Sequence, residues 1–222
     1  MNRFLFWSLA FCSTLLLGCG GESIPEEKIF GSGTKTESIR EVTDFTAIEM
    51  KTFGEVDVSF GQETSVTVSI DDNLVDIVDT TVMDGKLTIA TKKRFSSGLG
   101  PKVSIKMPVL TDVEFLGQGA FAIREIKGDS LTIKMPGTGA LTASGEVQSL
   151  YVDVSGVGNA ILKKLSAKSA VFKLSGAGNI EASVVDSLKV ESSGTGSIKV
   201  IGNPKDVEKK ITGTGSVDIS IE

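Results

Sequence analysis

Apolar residues fall at every second position on both sides of a Gly-x-Gly triplet, and this pattern recurs six times in the second half of the chain. The triplets are Gly117-Gln118-Gly119, Gly137-Thr138-Gly139, Gly156-Val157-Gly158, Gly176-Ala177-Gly178, Gly194-Thr195-Gly196 and Gly213-Thr214-Gly215. Their first glycines step by 20, 19, 20, 18 and 19 residues. Four residues before the first glycine stand Val113, Ile133, Val152, Phe172, Val190 and Lys209; two before it stand Phe115, Met135, Val154, Leu174, Ser192 and Ile211. Two residues after the second glycine stand Phe121, Leu141, Ala160, Ile180, Ile198 and Val217, and four after it Ile123, Ala143, Leu162, Ala182, Val200 and Ile219. Alternation of period two predicts strands on both sides of each triplet. Glycine at the corner admits positive φ and close backbone approach. A unit this short cannot bury its apolar face alone, so the copies must stack. The expected fold is all-β: a right-handed parallel β-helix-like solenoid of about six to seven short rungs, the hand following from the bias of parallel crossovers.

The outward positions carry a second pattern. Three residues before each first glycine stand Glu114, Lys134, Asp153, Lys173, Glu191 and Lys210, alternating in sign at every rung. In an in-register stack each lies between opposite charges, and each such pair contributes roughly 0.2–1 kcal/mol. The row reads as a register-setting charge ladder; the other reading is a binding stripe. Seven residues before the first glycine stand Ser130, Ser149, Ser169, Ser187 and Asp206. These mark a second corner, where short side-chain oxygens bond turn amides; as nucleophiles they lack an organised base.

Residues 41–110 depart from the period and read as a cap with a degenerate first rung, leaving 111–222 as the regular rungs. Ile48 to Val58 fits the rung with Thr52 in place of the first glycine. Val56 to Phe60 and Val66 to Ile70, joined through Gly61-Gln62-Glu63, predict an N-terminal β-hairpin. Asp71 stands at the N-cap of a short helical or irregular stretch through Val78. Asp84-Gly85 predicts a second hairpin turn, into Lys86 to Thr91. Residues 92–100 form a basic Gly/Ser-rich loop, and Val103 to Met107 a last strand before the rungs. The sequence stops inside the last rung at Ile219-Ser220-Ile221-Glu222, so an exposed edge is expected there unless another chain or domain covers it.

Residues 1–18 read as a secretory signal: Arg3, then an apolar stretch from Phe4 to Leu17 that falls short of the roughly 20 residues of a membrane span. The segment ends Leu16-Leu17-Gly18-Cys19, which resembles a bacterial lipoprotein lipobox, so Cys19 is the expected lipidation site. Cys12 leaves with the signal, and Cys19 is then the only cysteine, which excludes an internal disulfide. More than one acyl chain gives durable attachment. Gly20 after Cys19, in place of aspartate, points to the outer membrane by resemblance to the Gram-negative sorting rule. Residues 19–40 read as a flexible tether, and 41–222 as one domain.

Composition then narrows the chemistry. The net charge of −5 becomes −6 once Arg3 is removed, which argues against nucleic acid as a partner. There is no histidine, hence neither the commonest general base nor the commonest neutral metal ligand. Tyr151 is the only tyrosine, and Trp7 leaves with the signal. Calcium-binding glycine repeats need an aspartate where this chain has Ala120, Ala140, Asn159, Asn179, Ser197 and Ser216. Ice-binding threonine rows are absent, and no helix follows Gly-x-Gly to make a nucleotide site. No catalytic residue, metal ligand or cofactor is read in the sequence.

The order Phe45-Thr46-Ala47-Ile48, Gly54-Glu55-Val56-Asp57-Val58, Asp71-Asp72-Asn73-Leu74, Asp84-Gly85-Lys86-Leu87-Thr88-Ile89, Met107-Pro108-Val109-Leu110 and the Gly-x-Gly row resembles the head GIN domain family of putative auto-transporter adhesins. The resemblance covers roughly residues 40–222. It implies a bacterial, β-helical domain, often lipoprotein-anchored, with no family catalytic residues to carry over; no translocator barrel is read in this sequence. The expected function is a membrane-anchored envelope lipoprotein, held by lipid on Cys19 and binding a glycan or an envelope protein through its solenoid faces. The alternatives are a structural envelope protein, self-associating into a homo-oligomer through the last rung, and a β-helical polysaccharide-active enzyme.

Overall fold

Alternation around the glycine corners becomes backbone pairing between successive copies of the repeat. A computed structural model describes residues 28–98 and 100–220. In chain order the strands are β1 (Ile29–Phe30), β2 (Lys35–Arg40), β3 (Ala47–Met50), β4 (Phe53–Phe60), β5 (Ser65–Asp71), β6 (Val78–Met83), β7 (Lys86–Thr91), β8 (Phe95–Ser96), β9 (Lys102–Met107), β10 (Asp112–Phe115), β11 (Gln118–Met135), β12 (Thr138–Val154), β13 (Val157–Leu174), β14 (Asn179–Ser192), β15 (Ser197–Ile201), β16 (Asp206–Ile211) and β17 (Ser216–Ser220). A 3-10 helix, Asp72–Ile77, joins β5 to β6. The described residues are 70% strand, and the parallel coils form a β-solenoid of about five turns. That is fewer than the six to seven rungs expected, because short strands at both ends make incomplete coils around the four long strands β11–β14.

The long strands bend without losing their partners. β11 pairs with β12, β12 with β13 and β13 with β14, all parallel, with register shifts at Ile123/Ile126, Thr142/Ser144, Leu162/Ser166 and Ala167/Ser169. Inward residues fall in three groups per coil. In β12 they are Leu141 and Ala143, then Val147, then Leu150, Val152 and Val154, all buried. The short middle side, which also holds Ile126, Leu165, Ala167 and Val184, falls where the sequence predicts only a second corner. Its one or two apolar residues give no alternation to detect.

The glycine corners are held by close approach more than by torsion. A Cβ on Gly156 would lie 2.1 Å from the Gly137 carbonyl oxygen, and one on Gly176 2.0 Å from that of Gly156. Those carbonyls accept from the middle residue of the next triplet: Val157 N–H to Gly137 at 3.2 Å and Ala177 N–H to Gly156 at 3.1 Å. Stacking therefore fills the space a side chain would need. Positive φ, which glycine admits at every corner, is adopted only by Gly119 and Gly139 among the twelve triplet glycines.

The cap is built differently from the expectation. β4 and β5 do not pair as a hairpin: β9 lies between them, parallel to β4 and antiparallel to β5. The connection from Phe60 to Ser65 is long enough to step over one strand, and β9 offers Val103, Ile105 and Met107 to the core. β2 then pairs antiparallel with β5, with Lys35 opposite Asp71, and β1 pairs parallel with β8. Residues 29–30 and 35–40 thus belong to the fold and not to a tether, which corrects the 19–40 boundary; β2 supplies the edge that closes this side. The second hairpin forms, with β6 antiparallel to β7 and both Asp84 (φ 51) and Gly85 (φ 74) left-handed, the torsions of a type I′ turn. The opening rung is in register with the regular ones, Met50 opposite Phe115 and Gly54 opposite Gly119.

Candidate functional site

One side of the solenoid is a continuous sheet, running β7–β3–β10 and then the C-terminal halves of β11 to β14 out to β16. Its inward positions are the columns that end at Leu131, Ile133 and Met135 in β11. The intervening positions must point outward. This places all six ladder residues side by side: Glu114 opposite Lys134, Lys134 opposite Asp153, Asp153 opposite Lys173, Lys173 opposite Glu191, and Glu191 opposite Lys210. Of these neighbours, Lys173 and Glu191 close to 3.6 Å as an ion pair. The other neighbours share the column at longer range, and Glu114 closes instead on Lys86 of β7 at 3.9 Å.

A second outward column, missed in the sequence, runs beside the ladder: Asp112, Thr132, Tyr151, Val171, Lys189 and Glu208. It carries the only tyrosine, with the Lys173 ammonium 5.9 Å from the ring centroid. Lys189 bonds Glu208 at 3.0 Å, which raises its pKa above the ordinary lysine value. The signal that could have found this column is its fixed offset, two residues before the ladder.

Three shallow cavities open on this side. One of about 320 Å³ lies between Lys86, Asp112, Glu114 and Lys134. Another of about 270 Å³ is lined by Asp153, Lys173, Glu191 and Lys210, and a third of about 450 Å³ by Val171, Lys189 and Glu208. The arrangement offers alternating donors and acceptors along a strip, with one aromatic platform. That suits an extended polar ligand.

Other candidate groups are engaged in structure. The serine row is in register, with Ser130 and Ser149 exposed and Ser169 and Ser187 half-buried; the Ser149 and Ser169 hydroxyls lie 3.3 Å apart and Ser169 donates to the Gln148 carbonyl at 3.2 Å, in place of the turn amides expected. Asn159, Asn179 and Ser197 make a hydrogen-bonded ladder on another side. Three carboxylates have lowered pKa values: Glu49 through Lys51, Asp57 through the Arg124 guanidinium, and Asp71 through the Ser97 hydroxyl and the Gly33 amide. Each is held ionised, the opposite of a general acid. Asp71 sits at the N-cap position but caps nothing there, because its carboxylate faces Gly33 and Ser97. Among the described residues no group of three or more acids or cysteines is placed to hold a metal ion, and no helix is long and apolar enough to cross a membrane. Cys19 lies outside the described residues.

The family model described as "Putative auto-transporter adhesin, head GIN domain" matches residues 44–204. The chain belongs to the head GIN domain family. One solved relative shares the fold. This head GIN domain resembles a putative adhesin from Bacteroides fragilis NCTC 9343 with a TM-score of 0.75 at 22% identity, over 86% of this chain and 100% of that one. A putative adhesin from Parabacteroides merdae ATCC 43184 aligns with a TM-score of 0.49 at 20% identity, over 87% and 99%. A putative lipid binding protein from Parabacteroides distasonis ATCC 8503 aligns with a TM-score of 0.48 at 19% identity, over 87% and 100%. No match was found among curated proteins.

Proposed function

We propose that this head GIN domain is a lipid-anchored protein of the bacterial envelope, in the outer membrane, that binds an extended polar ligand along the charge-ladder side without catalysis. The ligand class is a glycan carrying charged groups or a strand of an envelope protein. The observation that carries the reading is the continuous strip from Glu114 to Lys210, in register and flanked by open cavities. Membership in a family described as "Putative auto-transporter adhesin, head GIN domain" supports a binding role. The lipid anchor rests on Leu16-Leu17-Gly18-Cys19.

A screen of charged polysaccharides and envelope-protein peptides tests the binding half. Binding that falls about tenfold or more in Lys134→Glu/Lys173→Glu, with the strand circular dichroism kept, supports it. Binding untouched by both reversals overturns the assignment to this side. Mass spectrometry of the membrane-extracted protein tests the anchor, expected as an acylated N-terminal Cys19.

Self-association is the second reading. β16 is exposed along its whole length, with Val207 and Ile211 at 43% and 44%, beside partly buried Val217 and Ile219. Lys209, in an otherwise apolar inward column, opposes it by placing a charge at the contact. A monomer by light scattering, both before and after Ile219→Lys, would remove this reading.

A further inference from the structure

The basic loop that follows β7 comes together with the first described residue of the chain. Lys28, Lys92, Lys93 and Arg94 line one cavity of about 390 Å³ with Phe53 and Phe95. Pairing of β1 with β8 builds this juxtaposition: Ile29 lies opposite Phe95, and its N–H donates to the Arg94 carbonyl at 3.1 Å. Phe53 packs on Phe95 with ring centroids 4.8 Å apart and is still 39% exposed. Phe30 is 70% exposed, with the Lys28 ammonium 5.8 Å from its ring. Lys92 pairs with Asp79 at 3.2 Å, whereas among the described residues no carboxylate lies within 4.0 Å of Lys28, Lys93 or Arg94. A chain of net charge −5 therefore gathers cations and exposed aromatic rings at one place that the ladder side does not use.

We infer that this patch docks the cap on an anionic membrane surface. Lys28, Lys93 and Arg94 meet lipid phosphates, and Phe30 and Phe53 enter the interfacial layer. Position selects this occupant as well as charge. The nine positions from Cys19 to Lys28 span at most about 30 Å fully extended. A lipid on Cys19 holds the patch within reach of the bilayer, and a basic patch beside an acyl anchor strengthens attachment through high local concentration. Docked this way, the cap faces the bilayer and the coils project from it.

The inference rests on the anchored reading, but its test leaves the lipid out. Residues 20–222 keep every described strand and the whole buried core, and they keep Glu26 and Glu27, whose charge opposes the patch. Flotation with vesicles of phosphatidylglycerol and phosphatidylcholine should show binding, and phosphatidylcholine alone should show none. Lys28→Gln/Lys93→Gln/Arg94→Gln should weaken binding by about a hundredfold, the effect of three cations near an anionic surface. Phe53→Ser, an independent variant, should weaken it by about tenfold. Equal binding to neutral vesicles, no binding to either, or binding unchanged in both variants overturns the docking. An acylated Cys19 with no vesicle binding overturns the docking alone; an unmodified Cys19 overturns the anchor whatever the vesicles do.

Discussion

The regular coils and the cap use different physics to hold the same kind of strand. In the coils each residue meets its own copy about one rung away, so backbone pairing, apolar columns and glycine contacts repeat. In the cap, antiparallel strands are interleaved with parallel ones, and single polar contacts fix the joins: Asp71 to Gly33 and Ser97, Asp57 to Arg124 of β11, and Glu49 to Lys51 and Thr88. The coils are redundant; the cap depends on particular residues. That division also shields the N-terminal end of the stack, where β2 and β6 stand as edges in place of an open core.

The largest expected effect lies at a glycine corner. Gly156→Val should cost on the order of 4 kcal/mol or more, or abolish folding, because its side chain meets Gly137 and Pro136 carbonyls. Gly98→Ala in the cap loop, where nothing lies within 4 Å, should change stability by less than about 0.5 kcal/mol in the same melts. Equal effects would erase the distinction between scaffold glycines and loop glycines. Next, Phe172→Ala empties the middle of the core, where the ring is fully buried, and should cost about 3–5 kcal/mol in denaturant titration.

Acid should separate the two regions. Glu49, Asp57 and Asp71 all have lowered pKa values. Their stabilisation is complete above the ordinary carboxylate pKa of about 4 and is lost as pH falls through the lower folded-state values. Hydrogen exchange in β1, β2 and β3 should therefore rise on acidification before that in β12 and β13. Asp71→Asn should raise exchange in β1 and β2 already at neutral pH. Uniform acid response across both regions would contradict the contrast. A smaller loss than at the glycine corner or in the core belongs to the ladder: Lys173→Glu, between Asp153 and Glu191, should cost about 1 kcal/mol, and Lys173→Glu/Glu191→Lys should recover part of it.

The same contrast explains what could be read from the chain. The columns from Val113 to Lys209 and from Phe121 to Val217 specify register directly, since repeated side chains report the same environment six times. The side carrying Glu114 to Lys210 was legible for the same reason. The middle side escaped, because Ile126 or Val147 alone has no apolar partner at spacing two. The position of β9 between β4 and β5 escaped too. Val56–Phe60 and Val66–Ile70 suit adjacent strands as well as strands one apart, and only packing decides. β2 was hidden by its polarity: Lys35, Glu37 and Arg40 resemble a linker, yet Ile39 is 79% exposed and the strand is held chiefly by its backbone to β5. The basic patch needed the structure, because Lys28 and Arg94 are far apart in sequence.

The central claim is that the ladder side is the binding surface and the glycines its scaffold. Lysine acetylation with and without a bound ligand tests it most directly. Lys134, Lys173, Lys189 and Lys210 should each lose reactivity on binding, while Lys163 and Lys199, on other sides, keep theirs. Protection of Lys163 and Lys199 with the ladder lysines still reactive would contradict the account.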